Sequence, residues 1–466
     1  MATKKAKTSK RSTASKRRKP AQKPSAYFLS LKVENVRCFG AGAQTLDLSD
    51  TDGGPAHWTV ILGDNGTGKS TLLECLAAFD AVRDTPDASA SGPVNRAGQW
   101  VQSGREHHLP RLGSASMTRL RIVAAFGGGL KIRSTTLETA VTDIAYFGPS
   151  GLNFTIAYAR SDAPLPFCCA YGVSRRMGSS SLSGRSDDRT ASLFDDRVEL
   201  LNAEEWLLQL DYAAAKSSTI RERQRERLKE VRRLLIDILP DVKDIRISTP
   251  TEERPRPGVE FKTDDGWVPL RWIGYGYRTA VAWMVDLTAR LVQRYPNSKN
   301  PLLEPAVVLI DEIDLHLHPS WQRHLMTHVS ARFPNVQFIV TAHSPLFVQA
   351  AEGANLVVLK REKDRVVIDN DVQAVEGWRV DQVLTSDLFG LKSARPPKHE
   401  NLLAQRKKLL TKAKLTKPDR KKLAVLEEQI GSLPGGETAD DARTMARIER
   451  TLSKLEKKRS RARDTD

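Results

Sequence analysis

The sequence predicts an α/β fold in which a parallel sheet presents a phosphate-binding loop. Three short, apolar and β-branched segments, residues 58–62, 306–310 and 336–340, are typical of buried central strands. A glycine-rich loop and a helical pattern follow the first segment, and an Asp-Glu pair follows the second. Strands that end in polar residues and alternate with helices favour a parallel sheet whose carboxyl edge binds a ligand.

The composition indicates an intracellular protein of ordinary globular type. The 466 residues carry 73 Lys and Arg against 56 Asp and Glu, a formal net charge of +17. The four cysteines lack CxxC spacing, which favours a reducing compartment and argues against a zinc site. No apolar run approaches the roughly 20 residues of a membrane helix, so we expect a cytoplasmic protein with no membrane association.

The excess positive charge is concentrated at the two ends of the chain. Residues 1–24 hold ten basic side chains and no acidic one, which predicts a disordered basic tail. Residues 392–466 hold 21 basic and 11 acidic side chains, and we expect a helical hairpin there with helices at 399–430 and 438–460. Residues 25–391 between them form the predicted head. The basic ends favour nucleic acid as a partner, but a solubilising role without any partner is an equally strong interpretation.

The strongest motif is the segment GDNGTGKS, which starts at Gly63 and lies between a predicted strand and a predicted helix. It matches G-x-x-x-x-G-K-[ST], in which backbone N–H groups cradle phosphates and the lysine neutralises the β- and γ-phosphates. The alternative, a glycine turn without a ligand, does not explain the lysine and serine. The predicted nucleotide-binding residues are Gly63, Asp64, Asn65, Gly66, Thr67, Gly68, Lys69, Ser70 and Thr71.

A second set of polar residues follows the other two central strands. Asp311 and Ser70 offer the hard oxygens that Mg²⁺ prefers, which predicts a shared metal site. Glu312 is then placed to orient an attacking water, and His343 follows the next strand, within reach of the γ-phosphate. A solvated strand end is the alternative interpretation of the Asp-Glu pair.

The rest of the chain supplies further elements and insertions. Residues 81–118 and 178–189 are rich in small and polar residues and are predicted to be irregular. Two amphipathic helical patterns within 198–239 predict a short helical insertion rather than a long coiled-coil arm. We also expect strands at 28–36, 120–126, 155–158, 356–359 and 366–368, a buried segment at 166–171, and a helix at 319–332.

These motifs together resemble the nucleotide-binding head of ABC-type ATPases of the SMC and RecF kind. The segments that carry the resemblance are ILGDNGTGKSTLLECLAAF, VVLIDEIDLHLHPSWQRHL and QFIVTAHSP. Residues 314–319, and the segments 171–175, 202–212 and 377–391, are similar to a compact bacterial subset found in antiphage defence operons, most of all to the ATPases of PARIS systems. The resemblance covers most of residues 28–391. It implies an α/β, ABC-type P-loop ATPase head with helical insertions and a C-terminal helical hairpin.

The resemblance also implies roles for individual residues. ATP and Mg²⁺ are the implied cofactors, His343 the switch histidine, and Asp314 the D-loop aspartate. The signature segment falls at residues 273–278, where Gly274 and Gly276 would complete the site of a second chain. Gly274 stands where the family usually has a serine, so we expect slow hydrolysis. Gln99 and Gln102 both remain candidates for the glutamine loop.

Two functions are compatible with this sequence. The first is an ATP-hydrolysing sensor or scaffold that forms a homo-oligomer of dimeric units. It would hold a separate toxic nuclease until a phage-encoded trigger protein arrives, and the resemblance implies a TOPRIM-type nuclease. The second is an SMC- or RecF-like ATPase that binds DNA through its basic ends in repair or chromosome maintenance. A transporter subunit fits less well, because the insertion at 81–118 does not suit a membrane-domain coupling face.

Overall fold

A computed structural model describes thirteen segments of the chain. They are residues 26–34, 36–40, 42–77, 121–128, 142–145, 155–158, 166–179, 181–182, 188–252, 255–372, 375–391, 393–412 and 416–430. The predictions for the tail 1–24, the insertion 81–118, the helix 438–460, and Gln99 and Gln102 lie outside these segments.

The described residues contain fourteen strands. They are β1 (Ala26–Glu34), β2 (Gln44–Asp47), β3 (Trp58–Gly63), β4 (Arg121–Gly128), β5 (Thr142–Ala145), β6 (Thr155–Tyr158), β7 (Cys168–Tyr171), β8 (Asp244–Ser248), β9 (Gly258–Thr263), β10 (Gly266–Pro269), β11 (Ala306–Ile310), β12 (Val336–Thr341), β13 (Asn355–Glu362) and β14 (Arg365–Asp369). All strands predicted from the sequence are found, each within a few residues of its predicted bounds.

The described residues also contain eleven α-helices. They are α1 (Lys69–Ala77), α2 (Ala191–Phe194), α3 (Ala203–Ala215), α4 (Arg221–Ile238), α5 (Tyr275–Arg294), α6 (Pro319–Gln322), α7 (Leu325–Arg332), α8 (Pro345–Gln349), α9 (Val380–Thr385), α10 (Pro397–Leu410) and α11 (Lys417–Ile430). Short 3₁₀ turns occupy Leu270–Trp272 and Pro301–Leu303. No helix among the described residues is long and apolar enough to cross a membrane.

A six-stranded sheet with the order β14-β13-β3-β12-β11-β7 organises the head. Five neighbouring strands, from β13 to β7, run parallel, and β14 pairs antiparallel at one edge. Every residue of β11 and β12 is buried, which fits the wholly apolar sequence of β11. β12 is mostly apolar, and its buried Gln337 exchanges two hydrogen bonds with the backbone of Phe28. The carboxyl ends of β3, β11 and β12 meet at one edge of the sheet, and the predicted site residues follow these ends.

The main core lies between the central sheet, α1 and the sheet β2-β1-β4. Phe28 and Leu31 of β1, Leu73 of α1 and Leu309 of β11 are all fully buried in one cluster. At the opposite end of β3, the ring of Trp58 stacks on Phe338 at 4.3 Å. The phosphate loop is thus attached to a strand and a helix that are both fixed by core packing.

A lobe of two helices and a three-stranded sheet follows the edge strand β7. Helices α3 and α4 form the predicted helical insertion, and the antiparallel sheet β10-β9-β8 packs beside them. Asn202 caps α3 by accepting a hydrogen bond from the Glu205 N–H at 3.1 Å. This small sheet was not predicted, because its strands are short and carry charged side chains among the apolar ones.

The single helix predicted at 319–332 is wrong. The chain forms α6 and α7 instead, with Arg323 and His324 between them. The His324 N–H donates to the Trp321 carbonyl three residues earlier, at 3.0 Å. This tighter turn interrupts the four-residue spacing of the α-helical bonds.

The chain divides into two compact units, Met1–Val383 and Leu384–Asp466. In the second unit, the single helix predicted at 399–430 is wrong, because two helices, α10 and α11, occupy this range. Thr416 and Asp419 form reciprocal hydrogen bonds at the start of α11, and Pro418 occupies its first turn. This capping box begins a new helix inside the predicted one.

Candidate nucleotide site

The phosphate loop connects β3 to α1 through three glycines with positive φ. The φ angles are +144° at Gly63, +73° at Gly66 and +91° at Gly68, a region that residues with a Cβ rarely adopt. A Cβ on Gly63 would also lie 2.7 Å from the Leu359 carbonyl oxygen. Glycine is therefore required for the loop to turn its backbone N–H groups inward.

Side chains from neighbouring segments support this loop from outside. Arg361 of β13 donates to the Gly66 carbonyl at 2.8 Å. Arg37 donates to the Thr71 hydroxyl at 3.0 Å and forms an ion pair with Glu74 at 2.7 Å. These contacts join the loop to β13 and the start of α1 to the turn that contains Arg37.

Lys69 lies at the start of α1 and directs its ammonium group back into the loop. Its Nζ donates to the carbonyls of Gly63 at 2.8 Å and Asp64 at 3.0 Å. The side chain is buried, which lowers the pKa of Lys69, while Asp311 and Glu312 act in the opposite direction. An ammonium group has three donors, so one N–H remains for a phosphate oxygen.

Ser70, Asp311 and Thr341 come together at the carboxyl edge of the sheet. The Ser70 hydroxyl donates to Asp311 Oδ2 at 2.6 Å, and the Thr341 hydroxyl donates to Asp311 Oδ1 at 2.6 Å. The serine and aspartate oxygens are hard donors of the kind that Mg²⁺ prefers, so these two residues would hold the ion. The predicted metal residues therefore lie in contact, although 241 positions separate them.

Glu312 has a left-handed backbone, with a φ of +47°. Its N–H donates to the Thr341 hydroxyl at 2.7 Å, and its carbonyl accepts from Arg175 Nη2 at 2.9 Å. His343 Nε2 lies 3.9 Å from Glu312 Oε1, so the two predicted catalytic side chains are neighbours.

Asp314, the implied D-loop aspartate, is buried and bonds within its own chain. Its Oδ2 accepts from the N–H groups of His343 at 2.9 Å and Ser344 at 2.5 Å. Gln322 of α6 donates to the Asp314 carbonyl at 3.1 Å and accepts from the Ser344 hydroxyl at 2.5 Å. The segment after β11 and the segment after β12 are thus joined into one unit.

The signature-like turn begins α5, and its two glycines have different surroundings. A Cβ on Gly276 would overlap the carbonyl oxygen of His316 in the same chain. A Cβ on Gly274 would meet only the Tyr277 ring, at 3.7 Å. Gly276 is therefore required by packing within the chain, whereas Gly274 has room for a side chain.

Two large aromatic side chains flank this turn at the surface. Trp272 is 66% exposed and Tyr275 is 48% exposed. The guanidinium groups of Arg271 and Arg278 lie 5.7 Å and 6.0 Å from the respective ring centres. We refer to these four residues as the aromatic patch.

Sequence reasoning missed several residues that shape the site. Arg175 is the main one: its guanidinium contacts the carbonyls of Asp311 and Glu312, and burial lowers its pKa to about 10. Thr341, Gln322 and Arg361 were also given no role. Arg175 lies within a segment that carried the family resemblance, but nothing in the residue pattern indicated which atoms it would contact.

Two family descriptions match parts of this chain. "AAA domain, putative AbiEii toxin, Type IV TA system" matches residues 172–349, and "AAA domain" matches residues 30–100. The first match includes the Asp-Glu strand and His343, and the second includes the phosphate loop. The α/β fold and the phosphate-loop geometry define the class of the chain as a P-loop nucleotide-binding head.

Curated relatives include proteins of retron and Septu systems. "Retron Ec83 probable ATPase" of Escherichia coli is 37% identical over 169 residues, 36% of this chain and 30% of that protein. "Septu protein PtuA" of Bacillus mycoides is 24% identical over 359 residues, 76% of this chain and 44% of that protein. The chain thus spans less than half the length of either relative.

Solved structures with related folds include SMC heads and RecF. An SMC head bound to the C-winged helix domain of ScpA has a TM-score of 0.44 and 14% identity, covering 74% of this chain and 97% of that chain. The recombination mediator protein RecF-ATPrS of the RecFOR pathway has a TM-score of 0.39 and 12% identity, covering 74% of this chain and 98% of that chain.

Proposed function

We propose that this chain binds and hydrolyses ATP as the ATPase component of a cytoplasmic antiphage defence system. The observation that carries the proposal is the contact of the phosphate-loop Ser70 and of Thr341 with Asp311, each at 2.6 Å. Retron and Septu ATPases belong to antiphage defence systems, which supports the biological setting.

The described side chains have distinct tasks in this reaction. The loop N–H groups and Lys69 bind the phosphates, and Glu312 beside His343 orients the attacking water. Mg²⁺, held by Ser70 and Asp311, would neutralise phosphate charge. Asp314 keeps His343 in place by accepting its backbone N–H.

We further propose that the working form is a homo-oligomer built from dimers. The chain has one phosphate loop and one signature-like turn, so a second copy is needed to cover each nucleotide. The aromatic patch supports this arrangement, because its exposed rings and guanidinium groups lie beside the turn that would face the second copy. Such cation-aromatic surfaces suit an anionic, aromatic ligand such as a nucleotide.

The oligomer would hold a separate effector until a phage-encoded trigger protein releases it. Retron ATPases and Septu PtuA act with partner effector proteins, which supports a separate effector. The resemblance to AriA, the ATPase of PARIS systems, favours a TOPRIM-type nuclease as this effector. Co-purification of the chain with the product of a neighbouring nuclease gene tests this, and a nuclease that never co-purifies contradicts it.

Nucleotide binding and assembly are tested with one pair of variants. We expect Lys69→Ala to lose MgATP binding, while Lys229→Ala, an exposed lysine on α4, binds as the native chain does. Light scattering with and without MgATP should show an increase in mass for the native chain and for Lys229→Ala, but not for Lys69→Ala. A chain that stays monomeric and still hydrolyses ATP would contradict the dimer.

A DNA-binding ATPase remains the second candidate, because the charge of the chain supports it. Residues 1–24 and 392–466 each carry a net charge of about +10, enough for several phosphate contacts. Fluorescence anisotropy with duplex DNA tests this function. Binding that weakens steeply between about 50 and 200 mM salt would support it, and no binding at the lower salt would exclude it.

A further inference from the structure

Arg175 is a buried arginine directly beside the Asp-Glu pair. It follows β7, the edge strand that pairs with β11, and only 2% of its surface is exposed. Its Nη1 donates to the Asp311 carbonyl at 2.5 Å, and its Nη2 donates to the Glu312 carbonyl at 2.9 Å. One planar guanidinium group therefore holds two consecutive carbonyls.

These bonds act on a residue with an unfavourable backbone conformation. Glu312 has a φ of +47°, which a residue with a Cβ adopts only when its surroundings hold it there. Arg175 holds its carbonyl, and Thr341 holds its N–H at 2.7 Å. Since the backbone angles fix the direction of the Cα–Cβ bond, the two contacts fix where the Glu312 side chain begins and so limit the positions that its carboxylate can reach.

We propose that Arg175 is a positioning residue for ATP hydrolysis, which keeps the Glu312 carboxylate where it orients the attacking water. This inference rests on the proposed function and deepens it, because it names what holds the water-orienting group. The guanidinium donates to the carbonyls of the Asp-Glu pair, so its effect on the reaction runs through Glu312.

An arginine that only donates hydrogen bonds to strand-end carbonyls would be a structural residue. A structural residue and a positioning residue can be told apart by measurement. A structural residue changes stability and nucleotide binding, whereas a positioning residue changes turnover alone. Lysine in place of Arg175 keeps the charge but cannot reproduce the planar fork of two donors. Methionine removes both the charge and the donors.

We expect Arg175→Lys and Arg175→Met to lower kcat about 10-fold or more, because a small displacement of a catalytic group slows the reaction strongly. KM and the Kd for MgATP should stay within about two-fold of the native values. The matched control is Arg227→Met. Arg227 of α4 is also buried and donates to a backbone carbonyl, that of Pro296, at 2.9 Å. The control should melt at a lower temperature but keep its native kcat.

The deciding readout is a double-mutant cycle with Glu312→Gln. If Arg175 acts through Glu312, then adding Arg175→Lys to Glu312→Gln should change the residual rate by less than about two-fold. If the two substitutions lower the rate independently, so that their effects multiply in the double variant, the inference is overturned. A native kcat in Arg175→Lys would also overturn it. Should Arg175→Met fail to fold, the lysine variant and the cycle still decide.

Failure of the proposed function has a different signature. A native chain without ATPase activity, or a Glu312→Gln variant that hydrolyses at the native rate, would refute the assigned chemistry and this inference with it. A slow Glu312→Gln variant beside a fully active Arg175→Lys variant would refute the inference alone.

Discussion

Replacement of Thr341 by valine should destabilise the head and slow hydrolysis. Valine has nearly the shape of threonine, so the change removes the hydroxyl and little else. That hydroxyl is fully buried, donates to Asp311 Oδ1 at 2.6 Å and accepts from the Glu312 N–H at 2.7 Å. Its loss removes one partner from a carboxylate and leaves a buried N–H without its acceptor.

The expected cost follows from these two bonds. A hydrogen bond to a charged group contributes about 1.5 to 3 kcal/mol, and a buried N–H left unpaired costs about 1 to 3 kcal/mol. We therefore expect Thr341→Val to lower the free energy of unfolding in urea by about 3 kcal/mol or more. Hydrolysis should fall as well, because Glu312 loses one of the two groups that hold its backbone.

Thr59 of β3 provides the matched control. It is equally buried in a central strand, but its hydroxyl has only a long contact with Asn355, at 3.4 Å. Thr59→Val should cost less than about 1 kcal/mol and leave kcat unchanged. Thr341→Ser, which keeps the hydroxyl, should retain most of the activity. Equal unfolding free energies for both valine variants, with native turnover, would refute the reasoning.

Four further changes are expected to act as follows. Glu312→Gln should keep MgATP binding while hydrolysis falls on the order of 10²-fold, and native turnover would move the water-orienting role to another residue. Gly274→Ser should fit without strain and raise kcat, because it supplies the hydroxyl that the signature segment lacks; an unchanged rate would show that this hydroxyl has no role here. Gly276→Ala should lower the melting temperature, since its Cβ would overlap the His316 carbonyl, and a native melting curve would contradict that contact. Trp272→Ala should weaken MgATP-dependent assembly in light scattering without changing nucleotide binding, and undiminished assembly would exclude the aromatic patch from the interface.

The central strands and the phosphate loop could be predicted because each has a local signal. β11 is an uninterrupted apolar run, β12 is mostly apolar, and the loop requires glycines whose positions are visible in the sequence. The contact between Ser70 and Asp311 could be predicted as well, since parallel strands bring their carboxyl ends to the same edge.

What could not be predicted depends on contacts between distant segments. Arg175 donates to backbone carbonyls that are 136 and 137 positions away in the sequence. Every residue has a backbone carbonyl, so the residue types do not indicate which carbonyl will accept the hydrogen bond. The same holds for Gly276, whose need for glycine comes from the His316 carbonyl. The start of α11 is different, because Thr416, Pro418 and Asp419 form a capping signal that is visible in the sequence within the longer helical pattern.

The packing of Gly276 on His316 has a consequence for communication within the proposed dimer. The signature-like turn, which would face the nucleotide of a second copy, packs through Gly276 against His316. His316 lies in the loop that follows the chain's own Asp311 and Glu312. Tyr275, at the same turn, also contacts the carbonyl of Ser174, the neighbour of Arg175, at 3.5 Å. If the nucleotide of the second copy changes the nucleotide affinity of this chain's site, the reverse effect must be of equal size, because coupling between two binding sites is reciprocal. In such a dimer, nucleotide on one copy would change the nucleotide affinity of the other by the same factor in both directions.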